Sequence, residues 1–388
     1  MPDDDPPAWK VGVLFSRSGV TGLTETEHVL GTALAVEEIN TAGGVRGRPI
    51  APLCLDPAGD PVAYRALARR MLADEGVGVI FGCSLSASRK AVLPLLERHD
   101  GLLWYPSIYE GFEYSESVLY TGATLNQTVF PLADYLLHRH GPRILIVGSD
   151  YIYPRESNRV MRDIVESRGG TVVGERYLPL DVDDGAIRPL MDEIVRLEPD
   201  AVFSTMVGQG ARRLYRLYAE AGIDRARRPI ASLTLAEGEI AAIGPHLCDG
   251  HLLAATYFGA LDSPANRRFD RSFRERFGDG PPPSMWSQTA YAQVHLFARA
   301  LAEAGSLDAR RLGEAALRTR FAAPEGDLAF DAENRHLWLT PGIGVARPDG
   351  QFDILWRADA PVRPDPWLAS TRFEASWARA SDVVPVVP

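Results

Sequence analysis

Short apolar runs alternate with helical stripes along most of this chain. Val11-Gly-Val-Leu-Phe15, Pro49-Ile-Ala-Pro-Leu-Cys-Leu55, Val77-Gly-Val-Ile-Phe81 and Leu102-Leu-Trp104 have the length and near-continuous apolarity of strands buried on both faces. Between the first two, Val29, Ala33, Val36 and Ile39 share a helical face that Gly43-Gly44 closes. Between the second and third, Tyr64, Leu67, Ala68, Met71 and Leu72 make a full helical stripe. Asp60 is placed to cap that helix, with Pro61 at its first position. A further helix starts near Ser88 with Val92, Leu95 and Leu96 on one side, and Val118-Leu-Tyr120 is a shorter strand. This alternation predicts a doubly wound α/β sheet.

At Thr121-Gly-Ala-Thr-Leu-Asn-Gln127 the rhythm breaks and then starts again, which places a crossing between two lobes there. The second run has strands at Ile144–Val147, Thr171–Tyr177, Ala201–Met206 and Pro229–Ser232, with helices at Ser157–Ser167, Ile187–Leu197 and Gly210–Ala221 between them. Gly250–Phe258 reads as a strand returning to the first lobe, which helices at Asn266–Phe277, Ser287–Ala304 and Asp308–Thr319 complete. The expected lobes are residues 1–122 with 256–328, and 123–255 with 329–388. From Gly326 the pattern alternates only briefly, at His336–Leu339 and Phe352–Trp356. Proline then punctuates Ala360–Trp367 too often for a helix.

Bulk composition narrows the function classes. With 388 residues, 46% of them apolar, the chain can build two or three sizeable cores. A formal charge of −10 and the lack of a strongly basic stretch argue against direct contact with DNA or RNA. No run approaches the roughly 20 apolar residues of a membrane span, and the acidic start Met1-Pro-Asp-Asp-Asp-Pro-Pro lacks the features of a secretory signal. Three cysteines, Cys54, Cys83 and Cys248, cannot all pair, and are read as reduced, small core residues. The expectation is a cytoplasmic protein.

Candidate chemistry collects where strands end, the usual ligand position of an α/β sheet. Strand 77–81 runs into Gly82-Cys-Ser-Leu-Ser86, strand 102–104 into Tyr105-Pro-Ser-Ile-Tyr109, and strand 144–147 into Gly148-Ser-Asp-Tyr-Ile-Tyr153. Ser84 and Ser86 either offer hydroxyls and a backbone N–H to a ligand or cap the helix that follows. Tyr105 and Ser107 are pocket or core. Tyr151 and Tyr153, two apart, share a face of one pocket or belong to a surface loop, and Trp286 is pocket wall or packing. These groups suit a small neutral polar molecule better than a phosphate or a metal.

Catalytic patterns are missing. Cys83 has no histidine nearby, the eight histidines show no metal-ligand spacing, and there is no G-x-S-x-G, S-x-x-K or P-loop. Gly208-Gln-Gly210 opens a helix after a strand, but Arg213 stands where the dinucleotide fingerprint needs its third glycine, so helix–strand packing is the expected reason for both glycines. No cofactor, no metal and no enzymatic activity are expected.

Several runs carry a resemblance: Leu14-Phe-Ser16, Gly43-Gly-Val45, Gly47-Arg-Pro-Ile50, Arg89-Lys-Ala-Val92, Tyr109-Glu-Gly-Phe-Glu-Tyr-Ser115, Gly148 through Asn158, and Arg363-Pro-Asp-Pro366. In these the chain resembles the cytoplasmic amide-sensing negative regulators of aliphatic amidase operons, which have the type I periplasmic-binding-protein fold. It is similar also to the urea and short-chain amide receptors of ABC transporters. The resemblance implies an amide held by Ser86, Tyr105, Ser107 and Tyr151, with Ser84, Ile108 and Tyr153 lining the pocket. It further implies an RNA-binding antiterminator protein as partner, and leaves homo-oligomerisation open. Ser84, Ser107 and Ile108 stand where those regulators have tyrosine, threonine and proline, and a smaller residue at 84 enlarges the pocket.

Overall fold

The computed structural model describes residues 7–369; the acidic start at residues 1–6 and the part of the second lobe assigned to 370–388 lie outside the described residues. The first lobe begins with β1 (Trp9–Leu14), α1 (Gly22–Thr41), β2 (Ile50–Leu55) and α2 (Pro61–Arg69), which runs on through a wider turn to Asp74. Then come β3 (Val79–Gly82), α3 (Ser86–Arg98), β4 (Leu102–Tyr105) and β5 (Val118–Tyr120). These strands form one parallel sheet in the order β2-β1-β3-β4-β5. Asp60 caps α2 as expected, its carboxylate accepting from Val62 N at 2.9 Å.

The second lobe holds α4 (Leu125–Arg139), β6 (Arg143–Ser149), α5 (Ile152–Ser167), β7 (Thr171–Leu178), α6 (Asp184–Leu197) and β8 (Ala201–Thr205). It continues through α7 (Gly208–Glu220), β9 (Ile230–Ser232), α8 (Glu237–Ile243), α9 (Pro245–Cys248) and β10 (Leu252–Ala255). The chain returns to the first lobe for α10 (Pro264–Phe277), α11 (Met285–Ala304) and α12 (Ala309–Arg318), followed by the small sheet β11 (Arg320–Ala323), β12 (Gly326–Phe330) and β13 (Leu337–Trp338). It crosses once more for β14 (Gly342–Ala346) and β15 (Phe352–Arg357), which add antiparallel strands to the second sheet, order β15-β14-β10-β9-β8-β6-β7.

Alternation along each strand sorts its side chains between two helical layers. Val79 and Phe81 of β3 and Leu102 and Trp104 of β4 join the core under α1 and α11, whereas Ile80, Leu103 and Tyr105 join the core under α2 and α3. In the second lobe Leu145, Val147 and Val202 face α6 and α7, while Ile144, Ile146 and Phe203 face α4 and α5. Phe297 of α11 meets Phe81 and Trp104 edge-on, with centroids 5.1 and 6.0 Å away. Such ring pairs add about 0.5–1.5 kcal/mol each beyond their buried area.

Two local readings change. Helix α4 went unread because it is buried on nearly every side and contains Pro131; no polar face marks it. Cys54, expected in the core, is exposed on β2, whereas Cys83 and Cys248 are buried and all three are free.

Helix α1 lies so close to α11 that a Cβ on Gly31 would sit 1.9 Å from Ser287 O. An ordinary helix glycine gains about 1 kcal/mol on becoming alanine. Here the obstacle is backbone, and overpacking that costs about 1–3 kcal/mol should prevail. Gly31→Ala is therefore expected to lower the urea midpoint without changing the slope; a raised midpoint would show that the helices separate freely.

Candidate functional site

Strand ends and helix starts meet between the lobes. After β3, Cys83 adopts a left-handed backbone (φ 68°), its N–H donating to Leu14 O at 3.0 Å. A non-glycine residue in such a conformation costs about 1–3 kcal/mol and persists where its surroundings enforce it. This turn delivers Ser84 and Leu85 to the cleft and starts α3 at Ser86. Leu85 is the N-cap, in extended conformation, and no side-chain bond caps the helix. Ser86 therefore does not act as the cap, and the first-turn N–H groups of α3 remain for a guest or water.

The second lobe repeats the device. Tyr151 is the N-cap of α5 and Val207 that of α7; both are extended and neither helix has a side-chain cap bond. The cavity leaves about 40 Å³ of room for the centres of water-sized molecules, above the roughly 10–15 Å³ that a single water needs. Ser84, Ser86, Ser107 and Ile108 line it from the first lobe, and Tyr151 and Tyr153 from the second. The two phenol rings tilt against each other with centroids 6.3 Å apart. Trp286, left open between pocket and core, lines the cavity as well.

Tyr105 is the one candidate that does not line the cavity. Strand alternation turns it to the α2/α3 face, where it is fully buried, and its hydroxyl donates to Ser84 O at 2.6 Å. Its hydroxyl anchors the backbone of the serine loop from behind the lining. Ser107 Oγ donates to Ser84 Oγ at 3.0 Å, tying the two strand-end loops together. Behind them Arg89, fully buried on α3, donates to Glu110 Oε1 at 2.7 Å and to Glu113 Oε1 at 2.9 Å, with its guanidinium over the Tyr105 and Tyr109 rings.

The far wall was not read from sequence: Thr24, Val207, Leu235, Glu239 and Ile243. Val207 and Leu235 follow the ends of β8 and β9, so the strand-end rule applied to the first lobe would have found them. Gly210 packs against Val182 and Met206 as expected of a helix–strand contact, but Gly208 does otherwise. It takes φ 59°, lines the cleft, and would put a Cβ 2.2 Å from Val20 O of the first lobe.

Among the described residues, Glu239 is the only formally charged side chain of the lining. It accepts from Thr24 Oγ1 at 3.3 Å and faces Arg212 Nε at 3.4 Å. Burial pushes its carboxyl up against the opposing pull of Arg212. Burial likewise pushes the Tyr151 and Tyr153 phenols up, so both stay un-ionised. The same effect keeps the Cys83 thiol protonated, which removes it as a nucleophile. Among the described residues no group of His, Cys, Asp and Glu could hold a metal ion, and no helix is long and apolar enough to cross a membrane.

Residues 9–372 match the periplasmic binding protein domain family. The chain belongs to that family. This periplasmic-binding-protein-like chain is 26% identical over 288 residues to Leu/Ile/Val-binding protein homolog 6 of Brucella melitensis, covering 72% of this chain and 73% of that one. A solute-binding protein of an ABC transporter from R. palustris, solved with benzoate, superposes with TM-score 0.81 at 22% identity, over 92% of this chain and 98% of that one. The branched-chain amino acid transporter substrate-binding protein of Streptococcus pneumoniae, solved with isoleucine, gives 0.80 at 18% identity, over 92% and 100%. These superpositions establish the expected α/β, type I periplasmic-binding-protein fold, two lobes around a cleft.

Removing either support behind the loops should be separable by magnitude. Arg89→Met leaves buried carboxylates uncompensated and is expected to cost about 3–5 kcal/mol of stability. Tyr105→Phe loses one hydrogen bond and should cost about 1–3 kcal/mol. Equal urea midpoints for the two variants would contradict the assignment of Arg89 as the main support.

Proposed function

We propose that the cleft clamps a small primary amide with a short apolar body, and that the loaded, closed form alters the protein's hold on a partner. The observation that carries this reading is the wall itself. It offers serine hydroxyls, two un-ionised phenols and uncapped helix N–H groups, contains no cationic side chain, and has its single carboxyl already beside Arg212. A primary amide has one acceptor oxygen and two N–H donors, which such groups satisfy without charge. A molecule lacking them leaves the wall unpaired and is rejected. Across the cleft Val207, Leu235, Ile243 and Trp286 offer an apolar surface to an acyl chain. In this reading the protein is a cytoplasmic, non-enzymatic negative regulator that holds an RNA-binding antiterminator until the amide arrives, as the resemblance through Tyr109–Ser115 and Gly148–Asn158 implies.

A second reading has separate support. The relatives matched over most of their length carry the names of amino-acid- and solute-binding proteins of transporters. Glu239 and the uncapped start of α3 line the same cavity from opposite lobes, a disposition able to hold the ammonium and carboxylate of an amino acid. The chain would then be the substrate-binding receptor of an ABC transporter, for an amino acid, urea or a short amide.

Calorimetric titration with formamide, acetamide, butyramide, urea and isoleucine separates an amide from an amino acid as the guest. With about 0.8 kcal/mol per buried methylene, butyramide should bind roughly tenfold more tightly than acetamide. Isoleucine binding while every amide stays silent would overturn the amide reading. With the best-bound amide, Ser86→Ala and Tyr151→Phe should each weaken binding by about 1–3 kcal/mol; no change in either would move the site elsewhere.

A further inference from the structure

The two lobes touch through carboxylates. Glu27 of α1 is fully buried; its Oε2 accepts from the Ser284 hydroxyl, and its Oε1 has no hydrogen-bond donor. That unpaired oxygen lies against α8 of the other lobe, so closely that a Cβ on Gly238 would sit 1.9 Å from it. Gly238 is flanked by Glu237 and Glu239, both buried. Glu237 Oε1 accepts from Gly259 N at 2.8 Å in the crossing after β10, while its Oε2 has no partner. Three carboxyl groups thus converge where closure removes water. Two have an oxygen unsatisfied, and ionised carboxylates in such a position are costly.

Among the described residues the cation that acts on Glu27 is Arg212 of α7, which pairs with Glu239, while Arg213 and Arg216 of the same helix pair with Asp184. On α1 itself, Glu25 is occupied by Thr21, Tyr64 and Ser16 N, and His28, both ring nitrogens unpartnered, is held neutral by burial, pushed down to about 3. Helix α11 presents Ser284 and Trp286 here, its His295 lying further along against Glu38; on α10, Arg276 is paired with Glu37. On α9, His246 gives its carbonyl oxygen to Arg225. Nothing in this group supplies Glu27 with a positive partner of its own.

We propose that Glu27, pressed against Gly238 between Glu237 and Glu239, is a proton-operated latch. The lobes close fully when Glu27 carries a proton and spring apart when it is ionised. This goes beyond the choice of ligand and rests only on closure of the two lobes. Burial raises the Glu27 carboxyl well above its usual range, with Glu239 and Glu237 adding to the effect over the Ser284 hydrogen bond and Arg212. Glu237 is pushed by burial up to about 7. In the open form Glu27 meets water, where a glutamate titrates near ~4.3. A group whose closed-state pKa is raised stabilises closure fully below its open-state pKa and loses that contribution as pH rises through the closed-state value. Closure therefore weakens from about pH 4.3 upward, by up to about tenfold per pH unit for one linked proton.

Small-angle scattering of the ligand-free protein between pH 5 and 8 tests the latch without any ligand, with circular dichroism to verify that the fold persists. The radius of gyration should grow as pH rises. Glu27→Gln, which mimics the protonated group, should stay compact throughout, and Gly238→Ala should stay open throughout. A wild-type radius independent of pH, or a Glu27→Gln protein that still expands, overturns the proposal. Should Glu27→Gln fail to fold, the wild-type series together with Gly238→Ala decides: pH-dependent expansion in Gly238→Ala identical to wild type also overturns it.

Discussion

The buried contact of Arg89 with Glu110 and Glu113 is the constraint on which the binding wall depends. Arg89 extends from the first turns of α3, and its carboxylate partners come from the loop after β4. One guanidinium therefore fixes two strand-end loops relative to each other, and Tyr105 and Tyr109 close over it as ring faces. A buried ion pair adds little net stability, because desolvation consumes most of its Coulomb gain. What it supplies is position, since neither partner tolerates losing the other. With the loops pinned, Ser84, Ser86 and Ser107 are held as an ordered set of hydroxyls without any of them being charged.

From that constraint the character of the site follows. The charges that build the wall stay behind it, one layer from the cleft, and the cleft receives phenols, hydroxyls and helix starts. Backbone contacts lock the same layer. Thr121 N–H donates to Tyr105 O at 2.9 Å, Tyr109 N–H to Ala123 O at 2.9 Å, and a Cβ on Gly122 would meet Ser107 O at 1.9 Å. The crossing between lobes is thus packed directly on the loop that carries Ser107. Any rotation of the second lobe about this crossing acts on residues that line the cavity.

Much of this was legible because strand ends announce themselves. An apolar run of buried-strand length that stops at Gly82-Cys-Ser or Gly148-Ser-Asp needs no tertiary information to be placed at a sheet's carboxyl edge. Which side of the edge a residue occupies is another matter. Trp104 and Tyr105 differ by one position and so face opposite layers, and the sequence does not say which layer lies by the cleft. Helix α4 shows the converse limit: burial of Leu125 through Leu136 on almost all sides erases the polar stripe by which a helix is read. Leu235, Glu239 and Trp286 reach the cavity only because β9, α8 and α11, far apart in the chain, converge there, and periodicity carries no record of that.

The glycines at the lobe boundary show how closely closure is specified. Gly208 abuts Val20 O and Gly238 abuts Glu27, each at a separation that admits no side chain. The two contacts differ in kind. Val20 O is a neutral backbone group, so the approach of Gly208 is purely steric and insensitive to the medium. Glu27 is ionisable, so the approach of Gly238 carries an electrostatic cost set by its proton. A clamshell held at one point by shape and at another by charge closes to one geometry, but with a strength that the solution adjusts. The hydroxyls and phenols of the cleft stay un-ionised over the range in which the carboxyls titrate, whereas Glu239, which both lines the cleft and flanks Gly238, connects the surroundings of the cavity to the adjustment.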